Sequence, residues 1–453
     1  MKSGYYIYDN EKYRFELDGE YITVVNEKGI DLKKFADALN GKYKEKPKIQ
    51  ILKVKMFPNW NDAIIFHNYN LDSIGVVSTF KILGIIEFTN QEKEINALKI
   101  HAKELEYMYN SSKIIRSFKY DTKGNMDMRI KSYAEVNSEE KHVKLKNSII
   151  YYNFEIERKI STKNVNRYFM VNTMLSLRSD SFADNYESVY EMILICQAFI
   201  SYLYYRQNIN LSNIDVLSRD KNNKYFSIGK MIIYRNNGEK PDEEYVSQHY
   251  IDYEFIKTID EKILQAIIDE KLFIRHIPEN EIKRNEITPQ SFVIVSSAFE
   301  WEFRQLFPDG VKHKKSKTDA IEVIKHDLLQ LSSNYDKKKR KIMEKTIENM
   351  GKDNLESKLI FTNKELKEVS EIFLKYLCKL NDIKSENEIF TNLQKLRNDF
   401  AHGNMEIDID SDGFVGIIYL ERLIYIMQLK RFGLDDNNIK KAVNKLFGGN
   451  LAL

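Results

Sequence analysis

The apolar residues of this chain change their spacing part of the way along it, and that change constrains the fold more than any other feature. Up to about residue 180, short runs of aromatic and β-branched residues alternate with turn-forming residues, a pattern typical of strands. Beyond Thr288, apolar residues recur at intervals of three and four, as in amphipathic helices. The sequence therefore predicts an α+β protein in which a β-rich N-terminal domain precedes an all-α helical bundle.

The bounds of the predicted elements follow from these runs. Strands are expected at 5–8, 13–17, 21–25, 49–56, 63–67, 74–88, 143–154, 168–177, 214–217 and 225–234, and helices in the same region at 186–206 and 250–272. Bundle helices are expected at 289–308, 319–332, 337–349, 363–380, 387–402, 414–431 and 435–446. We place the domain boundary near 278–286, so that residues 1–284 form a sensor or regulatory region and residues 285–453 form the bundle.

Composition excludes several classes of protein. Lys and Arg together number 70 against 67 Asp and Glu, so the total charge does not indicate a nucleic-acid partner. The only cysteines, Cys196 and Cys378, argue against a disulfide framework and against a Cys-ligated metal site. The N-terminus lacks the apolar core of a signal peptide, and the most apolar run, 192–205, is too short to span a bilayer and is expected to be a buried helix. We expect a cytoplasmic protein with no membrane contact.

The end of the predicted helix 387–402 carries the most informative residues. Its apolar residues form one stripe on a helix of ~100° per residue: Ile389, Leu393, Leu396 and Phe400. Asn398 and His402 then lie on the opposite face, and Arg397 lies between that face and the stripe. An amide, an imidazole and a guanidinium are therefore expected on the side of this helix that does not pack into its own bundle.

The residue after this helix indicates where His402 lies. Gly403 occupies the position at which a helix commonly ends with a left-handed residue. His402 is then near the negative end of the helix dipole, which favours its protonated form. A protonated histidine can donate a proton to a leaving group, and a neighbouring guanidinium can stabilise a phosphate that gains charge in the transition state.

Arg397-Asn398-x-x-x-His402, placed on a late helix of a bundle, resembles the signature of the HEPN superfamily: an arginine, a polar residue and then a histidine. That superfamily includes RNA-cleaving toxins, abortive-infection proteins and CRISPR-associated nucleases. The resemblance covers roughly residues 285–446. A β-rich region ahead of a single HEPN unit is also similar in architecture to the ApeA type of anti-phage protein. Another HEPN branch has a tyrosine two residues after the histidine, where this chain has Asn404.

The resemblance implies a metal-independent endoribonuclease that needs no cofactor. In such an enzyme the 2′-hydroxyl of the RNA attacks the adjacent phosphate, leaving a 2′,3′-cyclic phosphate and a 5′-hydroxyl end. His402 is then the general acid or base, Arg397 stabilises the phosphorane, and Asn398 orients His402 or the phosphate. The resemblance further implies an RNA substrate such as tRNA, a role in anti-phage defence, and a phage-derived molecule or a nucleotide as the trigger for the N-terminal region.

In this superfamily two motifs usually face each other to form one active site, and this chain has one motif. The resemblance therefore implies a homodimer with the open face of the 387–402 helix at the interface. The very apolar helix 414–429 is consistent with a large hidden surface, although burial in its own bundle explains that apolarity equally well. Three residues are candidates for supporting or interface contacts: Asp399, Glu300 and Arg422. Of Glu300 and Glu302, one is expected to face solvent and the other to reach the motif.

Three alternatives remain open for these residues. Arg397 and His402 could be a helix cap that bonds the last carbonyls, in which case the chain is a scaffold. The bundle could also bind RNA or a protein without cleaving anything. Two basic clusters are either a phosphate track for RNA or solvated surface. The candidate RNA contacts in these clusters are Lys314, Lys315, Lys317, Lys338, Lys339 and Arg340.

The segment 408–413 copies the first half of an EF-hand calcium loop. Its twelfth position, which should supply a glutamate, is Tyr419. We interpret the segment as an acidic loop and predict no resident metal. The chain also lacks the motifs of P-loop ATPases, HExxH zinc proteases and GxSxG hydrolases.

Overall fold

The structure, a computed structural model, describes residues 2–451 apart from 9–10, 26–49, 72–76, 111–113, 121–125, 161–168, 184, 212, 235–241, 314, 352, 384, 405–408 and 450. Two compact units are present, Met1–Leu272 with Ile277–Glu281, and Phe273–His276 with Ile282–Leu453. Antiparallel strands dominate the first unit and helices the second. The predicted α+β class is confirmed.

The first unit contains fourteen described strands. They are β1 (Lys2–Tyr8), β2 (Glu11–Asp18), β3 (Tyr21–Val25), β4 (Gln50–Met56), β5 (Asn61–Leu71), β6 (Val77–Phe88), β7 (Ala97–His101), β8 (Ile115–Tyr120), β9 (Met126–Ile130), β10 (Lys141–Leu145), β11 (Ser148–Ile160), β12 (Phe169–Arg178), β13 (Asn213–Arg219) and β14 (Tyr225–Ile233). All the pairings between them are antiparallel, and β8 and β9 form a separate two-stranded sheet.

Six of these strands pair in a closed ring, in the order β1-β2-β3-β6-β5-β4 and back to β1. Side chains alternate between the two faces of a strand, so one set from each strand points into the ring. Phe15, Ile22, Val54, Ile65 and Ile82 belong to this interior cluster and are buried. The ring therefore has its own hydrophobic core.

Strand β6 belongs to the ring and to a second, open sheet. Val77–Lys81 pair with β3, whereas Gly84–Phe88 pair with β14. On its other edge β6 pairs with β5 along most of its length. From β14 the open sheet continues through β13, β7, β12 and β11 to β10, which is the one outer edge strand among the described strands of this array.

The helices of the first unit are α1 (Lys103–Met108), α2 (Tyr133–Val136), α3 (Tyr186–Tyr204), α4 (Glu243–Gln248), α5 (Tyr253–Ile256) and α6 (Asp260–Ile268). Helix α3 begins where Asn185 Oδ1 accepts a hydrogen bond from Ser188 N at 2.9 Å, a side-chain N-cap. It ends at Tyr205, whose φ of 50° lies in the left-handed region. Most of its side chains are buried, so the prediction of a buried helix at 192–205 is confirmed.

Two of the predictions for the first unit were wrong. The single strand predicted at 143–154 is a hairpin, because Lys146 adopts a φ of 54° and reverses the chain between β10 and β11. The single helix predicted at 250–272 is two helices, because Ile259, with φ and ψ of −130° and −4°, interrupts the helical dihedrals. Residues 74–76 of the strand predicted at 74–88 lie outside the described residues.

The second unit is a bundle of helices, preceded by the short helix α7 (Glu281–Asn285). Its helices are α8 (Pro289–Leu306), α9 (Lys315–Ser332), α10 (Lys337–Asn349), α11 (Leu355–Glu365), α12 (Lys367–Leu380), α13 (Glu386–Ala401), α14 (Ser411–Phe432) and α15 (Asp436–Leu446). Helix α8 starts with a reciprocal capping box between Thr288 and Ser291, with Pro289 at the first helical position. The prediction of one continuous helix at 363–380 was wrong, because non-helical dihedrals at Leu366 separate α11 from α12.

Helix α14 is the centre of this bundle and packs against α8, α12, α13 and α15. Burial in its own bundle therefore accounts for its apolarity. Two glycines let α13 approach it closely: a Cβ at Gly413 would lie 2.7 Å from Leu396 Cδ1, and one at Gly416 would lie 2.9 Å from Leu393 Cγ. The position of α13 thus depends on the absence of side chains at these two residues.

Candidate active site

The predicted apolar stripe of α13 is buried, as expected from its spacing. Ile389, Leu393, Leu396 and Phe400 are at most 4% exposed. Phe400 packs edge-on against Phe292 of α8, with ring centroids 5.8 Å apart. These contacts fix the rotation of α13 about its axis, which determines which of its side chains face outward.

Helix α13 ends in a Schellman motif at the predicted glycine. Gly403 has a φ of 86° and donates its N–H to Phe400 O at 3.1 Å, while Asn404 N donates to Asp399 O at 3.0 Å. His402 is the C-cap residue, and its own N–H donates to Asn398 O at 3.0 Å. Backbone N–H groups therefore satisfy the carbonyls of residues 398–400, and no side-chain cap is needed there.

Arg397, Asn398 and His402 are exposed, whereas Asp399 between them is partly buried. Asn398 Oδ1 accepts a hydrogen bond from Gln394 Nε2 at 2.8 Å, and Gln394 Oε1 accepts one from Leu355 N at 2.7 Å. The amide of Asn398 is therefore oriented by the first turn of α11. Gln394 was not predicted, although its position four residues before Asn398 on the same helix is a signal that could have found it.

Arg397 faces a carboxylate from another helix. Its Nη2 lies 3.9 Å from Glu300 Oε1, and Lys358 Nζ lies 3.5 Å from the same oxygen. These distances exceed those of a charge-assisted hydrogen bond, and Arg397 is 44% exposed. An ion pair of this kind contributes only ~0–1 kcal/mol, so a phosphate can compete for the guanidinium. Glu300 therefore reaches the motif, and Lys358 is a cation that sequence reasoning missed.

The imidazole of His402 makes no hydrogen bond and no ion pair with any residue that the structure describes. It lies at the C-terminal end of α13, on the same side as Asn398 four residues earlier. A general acid or base must be able to approach a substrate oxygen to hydrogen-bond distance. The exposed imidazole meets that requirement.

Glu302 differs from the expectation, whereas an interface role of Arg422 stays a prediction. Glu302 does not face solvent: it is fully buried, with Oε2 2.9 Å from Arg431 Nη2 and Oε1 accepting from Gln428 Nε2 at 3.1 Å. Burial raises the pKa of Glu302 even though the Arg431 charge opposes that shift. Arg422 lies against the ring of Phe447 and donates Nη1 to Ile418 O at 2.9 Å. Gly413 of α14 packs against Leu396, the residue before Arg397. Arg422 lies nine residues further along α14, or roughly 13 Å at the rise of an α-helix, and is therefore separated from the motif.

The basic residues occupy the starts of two helices. Lys338, Lys339 and Arg340 are exposed in the first turn of α10, where Asp336 caps the helix by accepting from Lys338 N and Lys339 N at 3.0 Å. Arg340 also pairs with Glu344 at 3.0 Å. Lys315 and Lys317 lie in the first turn of α9, and Lys314 lies outside the described residues. Contact of these basic residues with RNA stays a prediction.

Residues 409–413 of the acidic segment lead into α14, which begins at Ser411. Asp410 is the N-cap of α14, accepting from Gly413 N and from Asn392 Nδ2, both at 2.8 Å. Asp408 lies outside the described residues. Within the parts of the chain that the structure describes, no group of three His, Cys, Asp or Glu side chains is arranged to hold a metal ion, and no helix there is long and apolar enough to cross a bilayer.

Comparison with known proteins gave no match to this chain among protein-family models, curated proteins or solved structures. The resemblance to the HEPN superfamily therefore depends on the motif of α13 and on its position in a helical bundle.

Chemically, the outward face of α13 presents a guanidinium, a held amide and an accessible imidazole. A guanidinium can bind a phosphate through two parallel N–H groups, and an imidazole can accept or donate a proton near neutral pH. Groups of these kinds can assist a reaction in which one oxygen attacks a phosphate and another oxygen leaves it.

Proposed function

We propose that this protein is a HEPN-type endoribonuclease that cleaves RNA without a metal ion, in anti-phage defence. The observation that carries the proposal is that Arg397, Asn398 and His402 emerge together, exposed, at the end of one helix whose opposite face is buried. The groups suit an RNA substrate, and structured RNA such as tRNA is the substrate that the resemblance favours.

In the proposed reaction, the ribose 2′-oxygen forms a bond to phosphorus while the bond from phosphorus to the 5′-oxygen of the next nucleotide breaks. The 2′-hydroxyl loses a proton and the departing 5′-oxygen gains one. His402 performs one of these transfers, and Arg397 binds the non-bridging oxygens, whose charge increases in the phosphorane. Asn398, held by Gln394, orients the phosphate or His402. The products are a 2′,3′-cyclic phosphate and a 5′-hydroxyl end.

A single motif supplies one imidazole, whereas the reaction moves two protons. We therefore propose that the protein acts as a homodimer in which the outward faces of two α13 helices meet, so that the second proton transfer falls to the other copy. An N-terminal region with a sensory role would then hold the dimer inactive until a phage-derived molecule or a nucleotide binds. Location in the cytoplasm belongs to the same proposal.

One observation favours a second function, in which the bundle binds RNA or a partner protein without cleaving it. Arg397 already faces Glu300, and the Asn398 amide is already held by Gln394. Polar side chains held in this way can form a recognition surface as readily as a catalytic centre. The two functions differ in what the loss of His402 does to RNA.

The test is cleavage of total tRNA by the purified full-length protein, with the RNA ends mapped chemically. We expect 2′,3′-cyclic phosphate ends, undiminished in EDTA, and a loss of about 10²–10⁴-fold in rate for His402→Ala or Arg397→Ala. His326→Ala is the matched control, because His326 is an exposed histidine on α9, and it should cleave like wild type.

Melting temperatures of the variants separate catalysis from folding. Wild-type-like melting with abolished cleavage supports catalysis by these residues. Binding of RNA by the wild type and by His402→Ala with equal affinity, and with no cleavage by either, would favour the binding function. A variant that mainly melts at a lower temperature would instead indicate a structural cap.

A further inference from the structure

A cleft of about 450 Å³ lies on the outer face of the six-stranded ring in the first unit. Its walls combine exposed lysines with aromatic rings. We infer that this cleft binds an unpaired nucleotide, stacking the base on Trp60 and pairing its phosphates with lysines. The inference concerns the first unit and does not depend on the proposed ribonuclease activity.

The strand alternation explains why lysines line this cleft. On β4, Leu52, Val54 and Met56 point into the ring, so the intervening Lys53 and Lys55 point outward. Lys12 of β2 and Lys93, which follows β6, line the same cleft. These four lysines face a single lining carboxylate, that of Asp62. The cleft therefore concentrates positive charge, whereas the basic and acidic residues of the whole chain, 70 and 67 in number, nearly balance.

Asp62 engages only two of the four lysines. Its Oδ1 lies 3.0 Å from Lys55 Nζ and its Oδ2 lies 2.6 Å from Lys93 Nζ. Partial burial opposes ionisation of Asp62, but the two lysines outweigh it and hold the pKa of this carboxyl below its usual value. Lys12 and Lys53 lie instead against aromatic rings, which leaves their charges available to an anion.

The exposure of the Trp60 side chain and the conformation of its backbone are both unfavourable for folding. It is 50% exposed, in the turn between β4 and β5, and its φ of 56° lies in the left-handed region. A bulky side chain rarely adopts that region, and such strain clusters at functional sites. Phe57 packs edge-on against Trp60 with centroids 4.8 Å apart, which supports the indole without covering it.

A second ring lies parallel to Trp60, and a cation lies over both. The Tyr5 and Trp60 rings are 15° from parallel, with centroids 6.4 Å apart. Lys12 Nζ is 4.1 Å from the Tyr5 centroid and 5.4 Å from the Trp60 centroid. A cation–π contact of this kind is weak at an exposed site. A nucleobase can therefore displace the ammonium group from the rings, and the released lysine is then near the phosphate of the same nucleotide.

Aromatic rings interleaved with lysines are the recognition chemistry of single-stranded nucleic acid, since every base has a face that can stack and every nucleotide has a phosphate. Two sources of this ligand are open, an unpaired segment of a strand and a free nucleotide. A base-paired duplex is excluded as the preferred ligand, because its base faces are already stacked.

The test uses the full-length chain carrying His402→Ala, so that the probe survives whether or not the protein cleaves RNA. Binding of fluorescein-labelled octauridylate is followed by anisotropy. Trp60→Gly removes the indole and places at this φ the residue that tolerates it best, so the turn is kept. We expect Trp60→Gly to weaken binding roughly fivefold to a hundredfold. Tyr151→Ala, at a 43% exposed aromatic on β11 outside the cleft, is the matched control and should bind like the parent.

The lysines are tested by salt dependence. The slope of log affinity against log salt concentration should become shallower by about 0.7 for each phosphate that a lysine no longer neutralises, as expected for a single strand. Lys53→Gln should show this change, whereas Lys144→Gln, at an exposed lysine on β10 outside the cleft, should not. Equal slopes for the two variants would contradict the role of the cleft lysines.

Fluorescence of Trp60 reports the site directly. The chain has two tryptophans, so Trp301→Phe leaves Trp60 as the only one. We expect quenching by octauridylate, and titration with AMP identifies the source of the ligand: comparable affinity indicates a free nucleotide, and much weaker affinity indicates a strand. No quenching by either ligand, or equal binding by Trp60→Gly and its parent, overturns the inference.

Discussion

His276 is a buried imidazole in the second unit, between Phe273 and Tyr425, with each ring centroid 6.1 Å from its own. Burial lowers its pKa from 6.5 to about 4, against a smaller opposing effect of a hydrogen bond to the Phe273 backbone. The unfolded chain therefore takes up a proton near pH 6.5 that the folded chain does not accept until pH 4. Stability from this group is present above pH 6.5 and is lost as the pH falls toward 4.

We predict that the free energy of unfolding of the second unit falls by up to about 3 kcal/mol between pH 6.5 and pH 4 because of His276. His276→Phe should remove most of that dependence, since a phenyl ring does not titrate. Urea unfolding, followed by tryptophan fluorescence in a Trp60→Gly background, measures this free energy at each pH. Trp301 is then the only tryptophan, and its ring centroid is 6.4 Å from that of Phe273. His326→Ala, at an exposed histidine, should leave the pH dependence intact. An unchanged slope in His276→Phe would assign the acid sensitivity to other groups.

At the scale of elements, the position of α13 is determined by its contact with α14. A methyl group at Gly416 would lie 2.9 Å from Leu393 Cγ and 3.0 Å from Ile389 Cγ2, closer than real contacts. We predict that Gly416→Ala lowers the free energy of unfolding by about 1–3 kcal/mol, through overpacking, and lowers any RNA cleavage by moving the motif. Chemical denaturation and the tRNA assay measure the two effects.

Leu393→Ala gives this prediction its control. Truncation of Leu393 alone should destabilise the bundle by leaving a cavity. In the double variant Gly416→Ala/Leu393→Ala, the new methyl group occupies part of that cavity. Its loss in free energy of unfolding should therefore be smaller than the sum of the losses in the two single variants. Strict additivity would show that Gly416 and Leu393 do not share a contact.

Elements with a regular apolar stripe could be predicted from sequence, and those without one could not. The apolar stripe of α13 predicts this helix directly from its spacing. Helix α11 was missed because its pattern is weak: Ile360 is 45% exposed while the Lys358 side chain is only 17% exposed. Strand β7 was missed because its sequence, ALKIH, contains one β-branched residue and no Phe, Tyr or Trp, and so lacks the run of such residues that predicts a strand.

At the scale of the whole molecule, the proposed function requires two copies of α13 to face each other. Cys196 and Cys378 are both buried, so a new surface cysteine can report that contact against little background. We predict that Lys395→Cys forms a disulfide between two chains under mild oxidation, because Lys395 is exposed on the face that carries Asn398 and His402. Non-reducing electrophoresis shows the product.

Val323→Cys is the matched control for the crosslink. Val323 is 60% exposed on α9, so it offers an accessible position on a different helix from the motif. Crosslinking of Val323→Cys alone, or a monomer by sedimentation at all concentrations, would contradict an interface through α13.

Only the part of the candidate site that lies on one helix could be predicted from the sequence. Arg397, Asn398 and His402 are close in sequence, so helical periodicity places them together. Glu300 and Lys358 come from other helices of the bundle, and their approach depends on packing that no local pattern specifies. The aromatic cleft was missed for the same reason, since Tyr5, Lys12 and Trp60 belong to different segments of the ring. Its local signal was present in the alternation of Lys53 and Lys55 with buried residues.

The closure of the ring has a consequence for solubility. A twelve-stranded array laid out flat would leave two rows of unpaired N–H and C=O groups, each able to template pairing with another chain. Here one row is consumed by closure through β5 and β6, and among the described strands the row at the other end begins with the five-residue strand β10, which pairs with residues 148–152 of β11. Gln265 caps that row at Lys144, accepting from its N–H at 2.8 Å and donating to its carbonyl at 3.1 Å. The end strand β10 is thereby short and partly capped, which disfavours edge-to-edge pairing at this strand.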